Sequence, residues 1–372
     1  MSWSSVIGQK RVKDILKTSL ERDRLAHAYL FIGQEGCGKF AVALELARIL
    51  NCEKKSSESC GVCSSCQKFE TLQHPNLKLI FPLPVGRGEK SNDPPLAKFT
   101  ENEVAEIQEQ IALKAKNPYH KIVIERANVI KINSIREIRR QAAMSLFGSG
   151  KKVFIILDAE KMNDESSNAL LKTLEEPHPD TLLILLTTAV HSLLPTIISR
   201  CQLIRFDPLS DDVIAEALQK NRNIDYEKAK IIARLANGNY NKALLYIDTD
   251  YEDRMNKAIA LLRAMLLKSR ISIMNEIETL MTDYQKPEIE DVLHLMQQWL
   301  QEAMLHKEGV SNDIKSSSSE IIKRFITNYP DWDFHRSFDA IDRAVSLLSK
   351  NVYIPLILLD LTFNIKQCAT QS

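Results

Sequence analysis

Apolar residues in the first 207 positions form short continuous runs, and segments with helical spacing separate these runs from one another. A continuous apolar run is typical of a strand that is buried on both faces of a parallel sheet. The runs predict strands at 28–32, 121–125, 153–157, 182–187 and 202–206. The first 207 residues are therefore predicted to form an α/β domain.

The strand pattern stops after residue 207, and the rest of the chain shows helical spacing. Pro208 and the triplet Asn237–Asn239 are poor helix formers, so they are expected to mark boundaries between helices. We predict a small all-helical lid domain over 208–250 and a larger all-helical domain over 251–372. Within the larger domain, the serine-rich stretch 307–319 predicts a loop.

Another change of composition lies inside the first domain. Residues 82–95 contain too many Pro, Gly and polar residues for a sheet element, so they predict an exposed loop. Residues 101–116 carry apolar side chains at helical spacing among charges, which predicts an amphipathic helix. Together these segments indicate an insertion over 82–118 in the α/β domain.

Composition limits what the chain can do by itself. Its 372 residues include 49 Lys and Arg against 48 Asp and Glu, so the net charge is +1. An autonomous nucleic-acid binder would be strongly basic, hence any DNA contact must be local or shared with partners. The chain starts without a secretory signal, and no apolar run reaches the ~20 residues that span a bilayer. We therefore expect a cytoplasmic protein without membrane contact.

Four of the seven cysteines lie close together, at Cys52, Cys60, Cys63 and Cys66. In a cytosolic chain such a cluster favours a metal over disulfides, and two-residue spacers let neighbouring thiolates face one ion. Four thiolates fill a tetrahedral Zn²⁺ shell and leave no position for a reactive water. We predict a structural zinc module over 52–66; the alternative is four free thiols on a surface loop.

The sequence Gly-Gln-Glu-Gly-Cys-Gly-Lys ends at Lys39, between a predicted strand and a helical stretch, as a phosphate-binding loop requires. Gly33, Gly36 and Gly38 would let backbone N–H groups converge on phosphate oxygens, and Lys39 would reach the β- and γ-phosphates. The alternative is a glycine-rich turn that happens to end in Lys.

Two positions of this predicted site lack groups that hydrolysis needs. Phe40 stands where a hydroxyl would hold Mg²⁺. Asp158 ends an apolar run in the manner of a Walker B strand, but Ala159 follows where a carboxylate would position water. Glu160 comes one residue later, so its side chain is expected to leave the strand in a different direction. Lys39 and the glycines leave binding of ATP or ADP open, whereas hydrolysis is predicted to be lost.

Three further motifs follow in order: the segment 168–177 with sequence NALLKTLEEP, then Thr187-Thr188, then Ser199-Arg200-Cys201. With the phosphate loop and the cysteine cluster, they make about the first 245 residues resemble the clamp-loader subunits of bacterial DNA polymerase III, within the AAA+ superfamily. The resemblance implies a RecA-like α/β domain with an inserted zinc module, an all-α lid, and an all-α collar domain that joins a hetero-oligomeric ring.

Two branches of this family share these motifs: the gamma/tau subunits, which hydrolyse ATP, and the delta prime subunits. Phe40, Ala159 and Asn241, which replaces the family's sensor-2 arginine, favour the delta prime branch. The resemblance implies that Arg200 is an arginine finger for a neighbour's ATP site, and that Thr188 belongs to the degenerate nucleotide site. The alternative is an ATP-hydrolysing motor subunit of gamma/tau type.

The resemblance also implies partners. These are the gamma/tau and delta clamp-loader subunits, the sliding clamp as a further candidate, and primed DNA reached through the assembled complex. Basic residues at 10–13 and at Arg136, Arg139 and Arg140 are candidates for phosphate contact, although such clusters usually only solvate helices. A stand-alone P-loop kinase would leave the motif around Arg200 unexplained.

Overall fold

Five parallel strands form one sheet in the computed structural model, in the order β2-β3-β4-β1-β5. The strands are β1 Ala28–Ile32, β2 Leu77–Ile80, β3 Lys152–Ile156, β4 Thr181–Thr187 and β5 Gln202–Arg205. Every residue of β1, β3 and β4 is buried, as continuous apolar runs require. Parallel neighbours need long crossover connections, which the helices between them supply. The α/β class predicted for this region is confirmed, and the sheet resembles a RecA-like fold.

The structure describes residues 3–54, 56–86, 88–90, 92–248, 251–267, 270–309, 318–350 and 352–369. The chain divides into two units, Met1–Leu245 and Tyr246–Ser372. The further division of the first unit at residue 207, into an α/β domain and a lid, stays a prediction.

One predicted strand is wrong. Residues 121–125 have no strand structure, and the fifth strand is instead the edge strand β2. The stretch lies beside other polar groups: the Lys121 ammonium pairs with Glu35 at 2.7 Å, and the Val123 amide donates to the Gln110 side chain at 3.1 Å. The backbone amides of Val123 and Glu125 thus donate to the Gln110 and Glu106 side chains rather than to a neighbouring strand.

Among the described residues of the first unit, ten α-helices accompany the sheet. They are α1 Lys10–Glu21, α2 Lys39–Leu50, α3 Ser64–Glu70, α4 Glu101–Lys116, α5 Ile132–Ala142, α6 Asp164–Glu175, α7 Pro195–Ile198, α8 Asp211–Arg222, α9 Tyr226–Ala236 and α10 Tyr240–Asp248, the last ending just past the boundary. Helices α5 and α6 cover one face of the sheet, where Leu30, Phe154 and Leu185 join their apolar side chains in the core.

Helix α4 confirms the amphipathic helix predicted at 101–116. A reciprocal capping box fixes its start: the Thr100 hydroxyl accepts from the Glu103 amide at 3.3 Å, and the Glu103 carboxylate accepts from the Thr100 amide at 2.7 Å. The buried positions of α4 are Ile107 and Lys114, seven residues apart on one side. This helix therefore carries a lysine into the protein interior.

The loop before α4 is attached to α5 by charged groups. The side chains of Glu89 and Lys131 are 5% and 7% exposed, and the Lys131 ammonium lies 2.7 Å from the Glu89 carboxylate. Burial raises the pKa of Glu89, but hydrogen bonds from Lys131 and the Gly86 amide bring it below its usual value. The Arg136 guanidinium also donates to the Asn92 side chain at 2.7 Å. The loop that was predicted to be exposed thus contains one buried side chain, Glu89, which attaches it to the start of α5.

The elements described in the second unit are all α-helices, as the sequence predicted. Its helices are α11 Tyr251–Leu266, α12 Arg270–Asp283, α13 Lys286–Lys307, α14 Ser318–Asn328, α15 Phe334–Ser349 and α16 Ile354–Cys368. The Phe325 ring packs edge to face against two tryptophans, with its centroid 5.1 Å from that of Trp299 and 5.0 Å from that of Trp332. Most of the loop predicted at 307–319 lies outside the described residues. Among the described helices, none has the length and apolar character of a membrane span.

Candidate nucleotide site and thiolate cluster

The predicted phosphate loop joins β1 to α2. Gly38 caps α2 with φ 101°, and Gly36 has φ 69°, so both adopt a conformation that favours glycine. A Cβ atom on Gly36 would lie 1.7 Å from the Asn239 side-chain oxygen. The Tyr240 amide donates to the Gly36 carbonyl at 3.2 Å. The loop is therefore held from one side by the start of α10.

Lys39 folds back over this loop. Its ammonium donates to the Gly33 carbonyl at 2.5 Å and to the Gln34 carbonyl at 2.7 Å. Burial lowers the pKa of Lys39, and nearby carboxylates such as Glu160 act in the opposite direction. The Lys39 ammonium is thus held by two carbonyls of the loop itself.

The structure brings most of the predicted nucleotide residues together. A cavity of about 200 Å³ is lined by Gly36, Gly38, Lys39, Asp158 and Thr188. Gly33 contributes the carbonyl that Lys39 contacts at the start of the loop. The strand order explains this convergence, because β1, β3 and β4 are neighbours and their carboxyl ends meet at one edge of the sheet.

Lys114 of α4 also lines this cavity, and sequence reasoning missed it. Its ammonium lies 4.3 Å from the centroid of the buried Phe40 ring and donates to the His120 carbonyl at 2.5 Å. Burial lowers the pKa of Lys114 to about 7. A lysine among the charges of an amphipathic helix looks like a surface residue. Only its spacing of seven residues from Ile107 indicated that Lys114 lies on the buried face of the helix.

Glu160 turns toward the same cavity. Asp158 adopts a left-handed conformation, φ 49° and ψ 51°, and a single 3-10 turn over Ala159–Lys161 follows. After this turn the side chains no longer alternate between the two faces of the sheet. The Glu160 carboxylate accepts a hydrogen bond from the Thr188 hydroxyl at 2.6 Å and another from the Thr188 amide at 3.1 Å. Burial raises the pKa of Glu160, but these hydrogen bonds bring it below its usual value. The cavity therefore holds an ionised carboxylate beside Thr188.

The region between α9 and α10 closes over the phosphate loop. The Gln34 side chain donates to the Asn237 carbonyl at 2.8 Å. Asn241, at the position of the expected sensor-2 arginine, accepts from the Asn117 side chain at 3.4 Å. Two hydrogen-bonded side-chain amides therefore occupy the place of the arginine that would contact a phosphate.

Arg200 follows α7 and is not among the residues that line the cavity. Its guanidinium lies 2.9 Å from the Glu175 carboxylate, at the end of α6, and donates to the Thr196 carbonyl at 3.0 Å. The Arg200 side chain is 36% exposed. The two motifs predicted at 168–177 and 199–201 therefore meet in one ion pair at the protein surface.

The four clustered cysteines converge as predicted. The Sγ atoms of Cys52, Cys60, Cys63 and Cys66 all lie within 4.8 Å of one another, and the Cys60 and Cys66 sulfurs are 3.9 Å apart. Zn–S bonds of about 2.3 Å in a tetrahedron place sulfurs about 3.8 Å apart, so the donor set fits Zn²⁺. Amide N–H groups at Val62 and Cys63 lower the pKa of Cys60, which favours the thiolate.

A buried arginine lies beside this cluster. The Arg48 side chain is 2% exposed and lies 3.1 Å from the Glu70 carboxylate. Its guanidinium favours the Cys66 thiolate and acts against burial, which raises the pKa of Cys66 to about 12. A Zn²⁺ ion with four thiolates carries net negative charge, which this guanidinium would partly balance. Nothing in the local sequence singled out Arg48, because its proximity to the cysteines depends on the fold.

Comparison with known proteins places these observations in a family. The sequence model for "DNA polymerase III, delta subunit" matches residues 8–210. DNA polymerase III subunit delta' of Bacillus subtilis is 30% identical over 262 residues, which cover 70% of this chain and 66% of that protein. The gamma/tau subunit of Mycoplasma pneumoniae is 26% identical over 264 residues, which cover 70% of this chain but 32% of that protein.

A solved structure is also similar. The DNA polymerase III gamma subunit-related protein of Thermotoga maritima gives a TM-score of 0.42 at 15% identity, covering 96% of this chain and 99% of that one. The family match is the stronger finding, since it spans more than half of the chain, from before the phosphate loop to beyond Arg200. The chain belongs to the DNA polymerase III delta subunit family of AAA+ clamp-loader proteins.

Proposed function

We propose that this protein is a delta prime-type clamp-loader subunit, a mostly non-hydrolysing scaffold that helps to load the sliding clamp onto primed DNA. One observation carries the proposal: the residue after the loop lysine is Phe40, which offers no hydroxyl for Mg²⁺, and the Lys114 ammonium lies 4.3 Å from its ring centroid. The similarity to subunit delta' agrees with it. In this role the second unit is the collar that joins gamma/tau and delta subunits in a cytoplasmic ring.

Two further parts of the proposal concern residues outside the cavity. Arg200 acts as an arginine finger in trans, because its planar fork suits phosphate oxygens and its side chain is partly exposed. The four cysteines hold a structural Zn²⁺, since a closed thiolate shell stabilises a segment that has little apolar core of its own.

The isolated chain is expected to show no ATP hydrolysis above background, because catalysis of phosphoryl transfer depends on positioning and on charge stabilisation by Mg²⁺. Single-turnover assays with purified chain test this directly. The Lys39→Ala variant serves as the background control. Turnover in the wild-type chain that disappears in this variant would instead identify a motor subunit.

One observation favours the alternative gamma/tau-type motor. Glu160 places an ionised carboxylate in the cavity beside Thr188, where it offers a base for a water molecule. The same single-turnover assay distinguishes the two functions when Glu160→Gln is included. A motor that uses this carboxylate would lose turnover in the variant, whereas a scaffold has none to lose.

Primed DNA is proposed to contact a basic groove between α5 and α6. Arg136, Arg139, Arg140 and Lys172 line this groove, which encloses about 560 Å³. Arg140 is paired with Glu137 at 2.7 Å, and Arg136 with Asn92. The groove carries four cations against the Glu165 carboxylate, so it is a locally positive surface of the kind that contacts phosphates, although the whole chain is almost neutral.

We expect Arg139→Ala to weaken binding of primed DNA by the reconstituted complex and to reduce the slope of log K against log salt by about 1. Fluorescence anisotropy over a salt series measures both quantities. Lys220→Ala removes an exposed charge from α8, outside both basic clusters, and is the matched control. Equal losses in both variants would mean that the groove has no special role.

A further inference from the structure

The residue that follows the loop lysine does not fit Mg²⁺. In hydrolases the residue after the loop lysine offers a hydroxyl oxygen to this ion. Here that residue is Phe40, whose buried ring has no ligand oxygen, and Mg²⁺ requires oxygen ligands in near-ideal octahedral geometry. The Lys114 ammonium already lies 4.3 Å from the ring centroid and would repel a second cation.

Lys114 has the position and the charge to act in the ion's place. It is 6% exposed and lines the same cavity as Gly36, Lys39 and Asp158. Its charge interacts favourably with Asp158 and Glu35. The contacts to the Phe40 ring and the His120 carbonyl, together with the capped helix α4, hold the ammonium there.

Two of the three carboxylates that line the cavity are paired with lysines. Lys121 lies 2.7 Å from Glu35, and Lys161 lies 3.7 Å from Asp158. Glu160 accepts two hydrogen bonds from Thr188. Among the described contacts, Lys39 and Lys114 donate to backbone carbonyls, which are neutral partners that an anion can outcompete.

We propose that the Lys114 ammonium replaces Mg²⁺ as the positive charge beside the phosphate loop, and that the cavity binds the polyphosphate of a nucleotide without a divalent cation. A cavity of about 200 Å³ is smaller than the ~300–1,000 Å³ of sites that enclose a drug-sized ligand. The polyphosphate therefore lies inside, against the glycine loop and the start of α2, while the base and sugar lie outside.

The protonation state of Lys114 agrees with this binding. Burial lowers its pKa to about 7 in the free protein. A polyphosphate beside the amine raises the pKa again, because a neighbouring opposite charge favours the ammonium. Binding and protonation therefore support each other. The inference goes beyond the scaffold function, which requires only that this chain does not hydrolyse ATP.

Isothermal titration of the full chain with ATP, once in excess EDTA and once in excess Mg²⁺, tests the proposal. We expect binding in both conditions, with dissociation constants that differ by less than about threefold. Tripolyphosphate in EDTA is expected to bind as well, since the phosphates make the contacts. Wild-type protein that binds ATP only with Mg²⁺, or that binds neither ATP nor tripolyphosphate, would overturn the proposal.

Variants on α4 assign the effect to Lys114. Lys114→Met is expected to weaken binding in EDTA about tenfold or more, because a charge-assisted hydrogen bond is lost. Lys114→Arg keeps the charge and is expected to retain binding, which guards against a folding defect in the first variant. Lys116→Met removes an exposed lysine from the same helix and should bind like the wild type. Undiminished binding by a folded Lys114→Met protein would contradict the proposed role.

Discussion

ATP hydrolysis at the neighbouring subunit is expected to fall by about 10³- to 10⁵-fold when Arg200 is replaced by Ala, because an arginine finger supplied in trans has this effect in well-studied systems. Arg200→Lys is expected to rescue poorly, since a point charge on a flexible stem does not reproduce the planar fork. Clamp-stimulated ATPase of reconstituted complexes measures the effect. Assembly should persist, because one arginine contributes little of a stable interface.

The ion pair with Glu175 provides the matched control. Glu175→Gln breaks the same contact as Arg200→Ala but leaves the guanidinium in place. A partly exposed pair contributes only about 0.2–1 kcal/mol to stability, so neither variant should unfold. If Arg200 acts on the neighbour's phosphate, the Glu175 variant remains active. Equal losses in the two variants, with both complexes intact, would show that Arg200 acts only through its own chain.

Loss of the metal is expected to have the second large effect. Structural Zn²⁺ contributes about 10–16 kcal/mol to the folding of small zinc modules. Cys63→Ser removes one thiolate, so the variant should lose its zinc and expose the backbone of residues 52–66 to solvent. The sheet is expected to remain folded, since its strands have their own apolar core.

Elemental analysis and hydrogen exchange measure these outcomes on freshly reduced protein. The wild type should carry one Zn²⁺ per chain, and Cys63→Ser much less than one. Cys368→Ser changes a cysteine of the second unit, far along the chain from the cluster, and should keep the zinc. A wild-type protein with little zinc, or a Cys63 variant with unchanged exchange in 52–66, would show that the cluster is a set of free thiols.

The sequence predicted the elements that depend on local patterns. The central strands were recognisable because burial on both faces makes them continuously apolar. The edge strand Leu77–Ile80 was missed, since it is four residues long and contains an exposed lysine. The apolar stretch 121–125 was mistaken for a strand, because periodicity alone does not show which backbone partners are available.

The candidate sites also contain some features that follow from local sequence and others that depend on the fold. The glycine loop and the cysteine cluster are short motifs whose spacing fixes their local geometry. The contacts of Lys114 with Phe40, and of Arg48 with Cys66, join residues that lie on different helices or loops. Such contacts depend on tertiary packing, so one sequence without its fold does not reveal them.

The buried pair of Glu89 and Lys131 restricts how this chain can change over evolutionary time. Replacement of either residue alone leaves an uncompensated charge in the interior, which typically costs about 3–5 kcal/mol. Replacement of both by apolar residues that fit removes that penalty. The loop before α4 and the start of α5 are therefore coupled, and a viable route of divergence at these positions passes through paired substitutions rather than single ones.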